Sequence, residues 1–247
     1  MNLAINQPTY LPWLGYFDLI DQVDLFVVLD CVQFEKQSWQ QRNRIRTSQG
    51  LQWLAVPVKA HGRFGQLIRD VEIGDCDFWR KHERAIELAY RRCAFFGDYF
   101  PRVHALLQGL SSGSLVDLNL GLLQWLLEVL EIRTRVIRAS SLGQPGKRTE
   151  LLANICRCVG ASEYISPPGS AAYLQHERRI FADCGIEIRF QNYQHPEYKQ
   201  LYTPFLAFAS VIDLVFNEGK MAATILRSGR REGIPAARFY ETLASTG

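Results

Sequence analysis

His195 sits in Tyr193-Gln-His-Pro-Glu-Tyr-Lys-Gln200, where two tyrosines, two glutamines, one histidine and one lysine fall within eight residues. An imidazole exchanges protons near neutral pH, so the stretch reads as a site loop in which His195 moves protons while Tyr198 and Gln200 orient a polar substrate. A surface turn is the bland alternative. Pro196 holds His195 to extended backbone either way. Asp30 directly follows the apolar run Leu25-Phe-Val-Val-Leu29. At the end of a buried strand a carboxylate can be held in a partly desolvated crevice as base, cation ligand or hydroxyl acceptor; it can equally cap a turn. These two residues are the candidate catalytic pair.

Arg42, Asn43 and Arg44 add donors, and a guanidinium fork matches phosphate or carboxylate, as in a nucleotide, nucleotide-sugar or amino-acid ligand. On a strand Arg42 and Arg44 share a face and Asn43 does not. Tyr10, Trp13 and Tyr16 form an aromatic wall that serves ligand stacking or core packing. Phe205 to Asn217 reads as an apolar helix broken only by Ser210, Asp213 and Asn217, which align on one face as a cleft lining or a thin solvent stripe. Cys31 neighbours Asp30 but lacks an activating partner that the sequence makes visible. No P-loop, G-x-G-x-x-G, G-x-S-x-G, H-E-x-x-H or Cys/His metal cluster occurs, so no metal site is expected.

The elements that must position these residues alternate. Leu3 to Asn6 and Leu25 to Leu29 read as buried parallel strands joined by a helix from Leu14 to Gln22, with Gln7 and Asp30 at one sheet edge. Arg42 to Ile45 pairs with Gln52 to Val58 as a hairpin across the Ser48-Gln49-Gly50 turn. Phe78 to Cys93 reads as a helix with Trp79, Ile86 and Tyr90 inward and a basic, solvated outer side. Ser114-Leu-Val-Asp117 caps another helix. Thr134 to Arg138, Glu163 to Ser166 and Ile186 to Phe190 follow as strands, with helices over Glu150 to Val159 and Tyr173 to Cys184. The fold class is therefore α/β: a mainly parallel, Rossmann-like sheet with flanking helices and a small β-hairpin insertion. Residues 1–228 form one domain with a subdomain joint near 140–148, and 229–247 form a basic tail with one helical turn.

Composition bounds the function. The chain has 247 residues, 47% apolar, and 28 basic against 25 acidic side chains leave only +3, too little for a general nucleic-acid binder. No apolar run reaches the ~20 residues of a membrane span, the N-terminus has no signal-peptide pattern, and six cysteines lack C-x-x-C spacing. A cytoplasmic protein with reduced thiols is expected.

Gln7-Pro-Thr-Tyr-Leu-Pro-Trp-Leu-Gly-Tyr-Phe17, Asp30-Cys-Val-Gln-Phe34, Ser38-Trp39, Arg42-Asn-Arg-Ile45, His195-Pro-Glu-Tyr-Lys-Gln200 and Ser210-Val-Ile-Asp213 occur in the order seen in the WbqC-like family, which the chain resembles over nearly its whole length. The resemblance implies a place in bacterial O-antigen and surface-polysaccharide biosynthesis and a glycine transferase acting on an amino sugar. It adds Gln33 to the substrate-binding set of Gln7, Tyr10, Trp13, Tyr16, Arg42, Asn43, Arg44, Tyr198, Gln200, Ser210 and Asp213. Cys31 stands where the family typically has a second acidic residue. A more distant likeness is to the nucleotidyltransferase superfamily, whose H-x-G-H would fall on Trp13-Leu14-Gly15-Tyr16 without either histidine. That likeness implies topology more than activity. It also implies ATP and magnesium as cofactors if a carboxylate is activated before a sugar amine captures it. The expected reaction is acyl transfer or ATP-dependent amide ligation on an aminosugar or nucleotide-sugar. A non-catalytic carbohydrate or nucleotide-sugar binding protein is the alternative.

Overall fold

The computed structural model describes residues 1–245. The apolar runs near the N-terminus form β1 (Asn2–Asn6) and β2 (Leu25–Val28), joined by α1 (Leu14–Asp21), and the strands pair in parallel with Leu3 opposite Leu25. After the hairpin β3 (Arg42–Thr47) and β4 (Gly50–Ala55) come three helices: α2 (Phe78–Tyr90), α3 (Phe96–Gly109) and α4 (Leu115–Val129). Then follow β5 (Arg135–Arg138), α5 (Arg148–Cys158), β6 (Glu163–Ser166), α6 (Ala171–His176), α7 (Arg178–Asp183), β7 (Glu187–Tyr193), α8 (Val211–Glu218), α9 (Ala222–Ser228), β8 (Arg230–Pro235) and α10 (Ala236–Ser245).

Six strands make one sheet in the order β5-β2-β1-β6-β7-β8; the first five run parallel and β8 is antiparallel to β7. The strands at its centre are apolar on both faces, as a sheet covered by helices on two sides requires. Ala4, Phe26, Val28 and Ile165 pack into one core with α1, α4 and α8. Leu3, Ile5, Leu25, Val27, Tyr164 and Phe190 pack into the other with α5, α7 and α10. Strand order reverses between β1 and β6, because the chain adds β2 and β5 on one side of β1 and β6 and β7 on the other. The carboxyl ends of strands at such a reversal leave a crevice that no crossover covers.

The structure differs from the sequence reading in four places. The Phe205-to-Asn217 helix begins only at Val211, because Pro204 and the side chain of Gln200 hold the preceding segment open. Leu206 N–H donates to Gln200 Oε1 at 2.8 Å, and Gln200 Nε2 donates back to the Leu206 carbonyl at 3.0 Å. Ser210 is the N-cap of α8, so the line of Ser210, Asp213 and Asn217 is a cap followed by one turn. The Tyr173-to-Cys184 helix is split at Glu177 into α6 and α7. Helix α3, with Pro101 inside its first turns, has no counterpart in the sequence reading; it buries Val103 and Leu107. Finally, 229–247 is no tail among the described residues. It supplies β8 and α10, whose Phe239 and Tyr240 cover Phe190 at ring-centroid distances of 4.4 and 5.6 Å.

Candidate functional site

Past the carboxyl end of β1 the chain turns through Gln7 to Trp13 before entering α1, and this turn forms one wall of the crevice. It contains Leu11 at φ 42°, a conformation that costs a non-glycine residue free energy and persists only when neighbours over-determine it. Asn43 is that neighbour: buried, it donates from Nδ2 to the carbonyls of Tyr10 at 3.2 Å and Leu11 at 2.9 Å, while its Oδ1 accepts Arg44 N–H at 2.8 Å. Ser210 stitches the same wall to the hairpin. Its N–H donates to the Arg44 carbonyl at 2.8 Å, and Val211 N–H donates to Pro12 O at 2.8 Å. Asn43 and Ser210 shape the site from behind and do not line it.

The larger lobe of the crevice has a volume of about 390 Å³ and is lined by Asn6, Gln7, Thr9, Trp13, Tyr16, Glu35, Ser38, Trp39, Gln40, Arg44 and Phe208. Gln40 Nε2 donates to Gln7 Oε1 at 2.9 Å, which turns the remaining donor of Gln7 free for a ligand. Glu35 is the single carboxylate and Arg44 the single cation on this lining, enough to hold one ammonium or cation and one anionic group. The Arg44 guanidinium lies 5.6 Å from the Trp39 ring and 5.4 Å from Trp53, and Arg42 sits 4.3 Å over Trp53. Arg42 and Arg44 do share a face, and Arg44 is the one that reaches the crevice. A smaller lobe of about 250 Å³ shares Asn6, Trp13 and Tyr16 and extends to Pro167, Pro168, Gly169, Gln191 and Tyr193 at the ends of β6 and β7. The Trp13 indole lies flat against Gly15, where any Cβ would collide with it.

His195 stands behind Trp13, stacked on it with ring centroids 6.1 Å apart and boxed by Phe208 at 5.3 Å, Phe205 at 5.7 Å and Tyr198 at 6.2 Å. Nδ1 faces the Pro196 carbonyl at 2.9 Å; a carbonyl only accepts, so Nδ1 carries the proton and Nε2 bears the lone pair. Nε2 is buried and accepts nothing from the described residues. Burial lowers the pKa of His195, keeping the imidazole neutral. The loop that carries it is anchored by Asp213, fully buried on α8, whose Oδ2 accepts Tyr198 Oη at 2.7 Å and Gln200 Nε2 at 2.8 Å. Burial pushes the Asp213 carboxyl up to about 6, against the pull of those donors.

Asp30 has different surroundings from those the sequence suggested. It is fully buried and absent from both lobes: Oδ2 accepts Arg138 Nε and Ser140 Oγ, each at 2.7 Å, and Oδ1 accepts Ser140 N–H at 2.9 Å. The carboxylate thereby ties the end of β2 to the end of β5. Cys31 beside it is held as a thiol, its pKa raised by burial and by the Asp30 charge. Tyr10 is likewise in the core, donating to His82 Nδ1 at 2.7 Å, while burial lowers His82 to about 4. Gln33 is exposed outside both lobes. Of the aromatic wall, Trp13 and Tyr16 line the crevice.

Sequence reasoning missed Glu35, Gln40 and Phe208, which become neighbours of Gln7 only through the fold; Trp39 was visible in the Ser38-Trp39 motif. It also missed a buried network beside the smaller lobe. Arg230 Nε donates to Asp18 Oδ1 at 2.8 Å, Gln191 Nε2 to Asp18 Oδ2 at 2.7 Å, and Arg227 Nε to Asp21 Oδ2 at 2.8 Å. Among the described residues the grouped metal-type ligands, Asp75, Cys76 and Asp77, are exposed and outside the crevice. No helix among those residues is long and apolar enough to cross a membrane.

Fold and site together define an α/β protein with a two-lobed crevice at the switch point of its sheet, one lobe charged and aromatic, the other neutral. The profile of the WbqC-like protein family matches residues 7–225, and the chain belongs to that family. It is 38% identical over 230 residues, 93% of this chain and 99% of the relative, to an uncharacterized protein of Mycobacterium tuberculosis. No solved structure matches it.

Proposed function

We propose that the chain forms an amide on the amine of an aminosugar, nucleotide-linked, by transfer of a glycyl or similar small acyl group, within bacterial surface-polysaccharide assembly. The observation that carries the reading is the unpartnered Nε2 of His195, fixed as a lone-pair acceptor by its Nδ1 bond to Pro196 and set directly behind the Trp13 and Phe208 walls of the charged lobe. His195 lines neither lobe, so catalysis requires Phe208, half exposed, to give way as substrate enters. The amine nitrogen then attacks the acyl carbon, the bond from that carbon to its leaving group breaks, and Nε2 takes the amine proton. Glu35 attracts the sugar amine and Arg44 an anionic group of the nucleotide. A free carboxylate would need prior activation by ATP and magnesium; a preactivated donor would not. Asp30 acts as a positioning residue that fixes the β2 and β5 ends.

A mass-spectrometric assay offering glycine, ATP and a panel of nucleotide-linked amino sugars reads amide formation directly. Asp30, which lines neither lobe and is engaged by Arg138 and Ser140, favours the second reading, a non-catalytic nucleotide-sugar binding protein. Tight binding without product from any donor, unchanged in His195→Gln, would establish that second reading and end the first.

A further inference from the structure

The two lobes differ in charge. Glu35 and Arg44 face the larger one, whereas among the described residues no charged side chain lines the smaller. Whole-ligand sites run about 300–1,000 Å³, so a lobe of about 250 Å³ suits one ring system of a larger ligand, and its sharing of Trp13 and Asn6 with the charged lobe lets that ligand continue across. Its walls are the flat faces a ring needs: the Trp13 indole, Tyr193 edge-on to it at 5.8 Å, and the Pro167-Pro168-Gly169 turn. Aromatic and proline faces stack on a neutral heterocycle without charge.

An amide side chain lines this lobe with its orientation fixed. Gln191 is only 4% exposed, and its Nε2 serves two acceptors at once, the Gly15 carbonyl at 2.9 Å and Asp18 Oδ2 at 2.7 Å. Only the NH₂ end can do that, so the amide orientation is fixed and Oε1 is turned away from Asp18. Oε1 makes no hydrogen bond among the described residues and, unlike His195 Nε2, keeps contact with solvent, on a residue that lines the lobe. Arg230 braces Asp18 from the far side, Nε to Oδ1 at 2.8 Å. Once a ligand shuts water out of the lobe, this acceptor is costly to leave unmade, and so it discriminates in favour of a ligand that brings a donor.

We infer that the smaller lobe is a nucleobase subsite, in which the base stacks between Trp13 and the Pro167–Gly169 turn and gives an N–H to Gln191 Oε1. This rests on the nucleotide-linked substrate proposed above and extends it by placing the base.

Isothermal titration of the full chain with UMP, CMP, AMP, GMP and the base-less ribose 5-phosphate tests it. At least one nucleotide should bind about tenfold or more tightly than ribose 5-phosphate, the scale of one hydrogen bond plus stacking. Gly169→Leu should erase that ratio by filling the lobe; a Cβ there meets no atom within 4 Å, so thermal stability should hold. Gln191→Leu should weaken the preferred nucleotide about tenfold. Methylating the donor nitrogen of its base should weaken binding to the native chain and leave Gln191→Leu unaffected. Nucleotides binding no better than ribose 5-phosphate, or a ratio that survives Gly169→Leu, overturns the subsite. The two proposals fail separately: base-selective binding without amide formation sinks the transferase alone, and turnover of nucleotide-linked aminosugars without any base preference sinks the subsite alone.

Discussion

The Tyr198 hydroxyl donates to Oδ2 of Asp213 at 2.7 Å, so the loop carrying His195 hangs from a carboxylate that helix α8 buries completely. Burial raises Asp213 from its ordinary 3.8 to about 6. Between those values the native chain holds a proton the unfolded chain has released. Stability from this group is full below about pH 4 and is lost as pH rises through about 6. The difference corresponds to on the order of 3 kcal/mol. Urea midpoints from pH 4 to 7 should therefore decline less in Asp213→Asn than in the native chain; equal slopes would show that Asp213 is ionised throughout.

His195→Gln should lower turnover by about 10²–10⁴-fold while circular dichroism and substrate binding stay near native. Since burial lowers the imidazole pKa, the neutral base persists below its ordinary 6.5, and the acid limb of log(kcat/KM) should fall on the acid side of that value. A limb above pH 7 would point to another group.

Arg44→Met should raise KM about 10–100-fold with little change in kcat, the loss of a charge-assisted bond made alike to ground and transition states. Arg42→Met should do much less, because its guanidinium is spent on Trp53 rather than on the crevice lining. Steady-state kinetics at fixed salt compares the two.

Asp30→Asn should cost about 1–3 kcal/mol by weakening the bonds to Arg138 and Ser140, and kcat at a temperature where the variant is folded should remain within a few-fold of native. A 10³-fold fall in kcat with unchanged stability would restore Asp30 to the chemistry.

Removing residues 229–247 should yield unfolded or aggregating protein by light scattering, since the cut bares the long β7 edge and uncovers Phe190.

What could be read in advance was local. The strands β1, β2, β6 and β7 announced themselves as short apolar runs ended by polar residues, and the Ser114 cap by its spacing from Asp117. The hairpin followed from its turn. Helix α8 was drawn too long because Phe205 to Ala209 is as apolar as a helix, and hydropathy cannot register that Gln200 captures both backbone groups of Leu206. Asp30 was placed on the crevice because a strand end implies a position, not a side-chain direction; Arg138 decided that. Gln40 and Gln191 could not be found at all, since their roles come from partners 33 and 176 residues away.

The Arg230–Asp18 pair spans 212 residues, and it completes a helix made among the first elements with a residue made among the last. Chains are synthesised from the N-terminus, so Asp18 leaves the ribosome with Gln22 as a neighbouring donor but with its counter-charge still unbuilt. Helix α1, and with it the crevice it opens onto, therefore cannot settle into final packing during translation. Non-local closure of this kind slows folding. The protein must wait for its own last strand before it has a site.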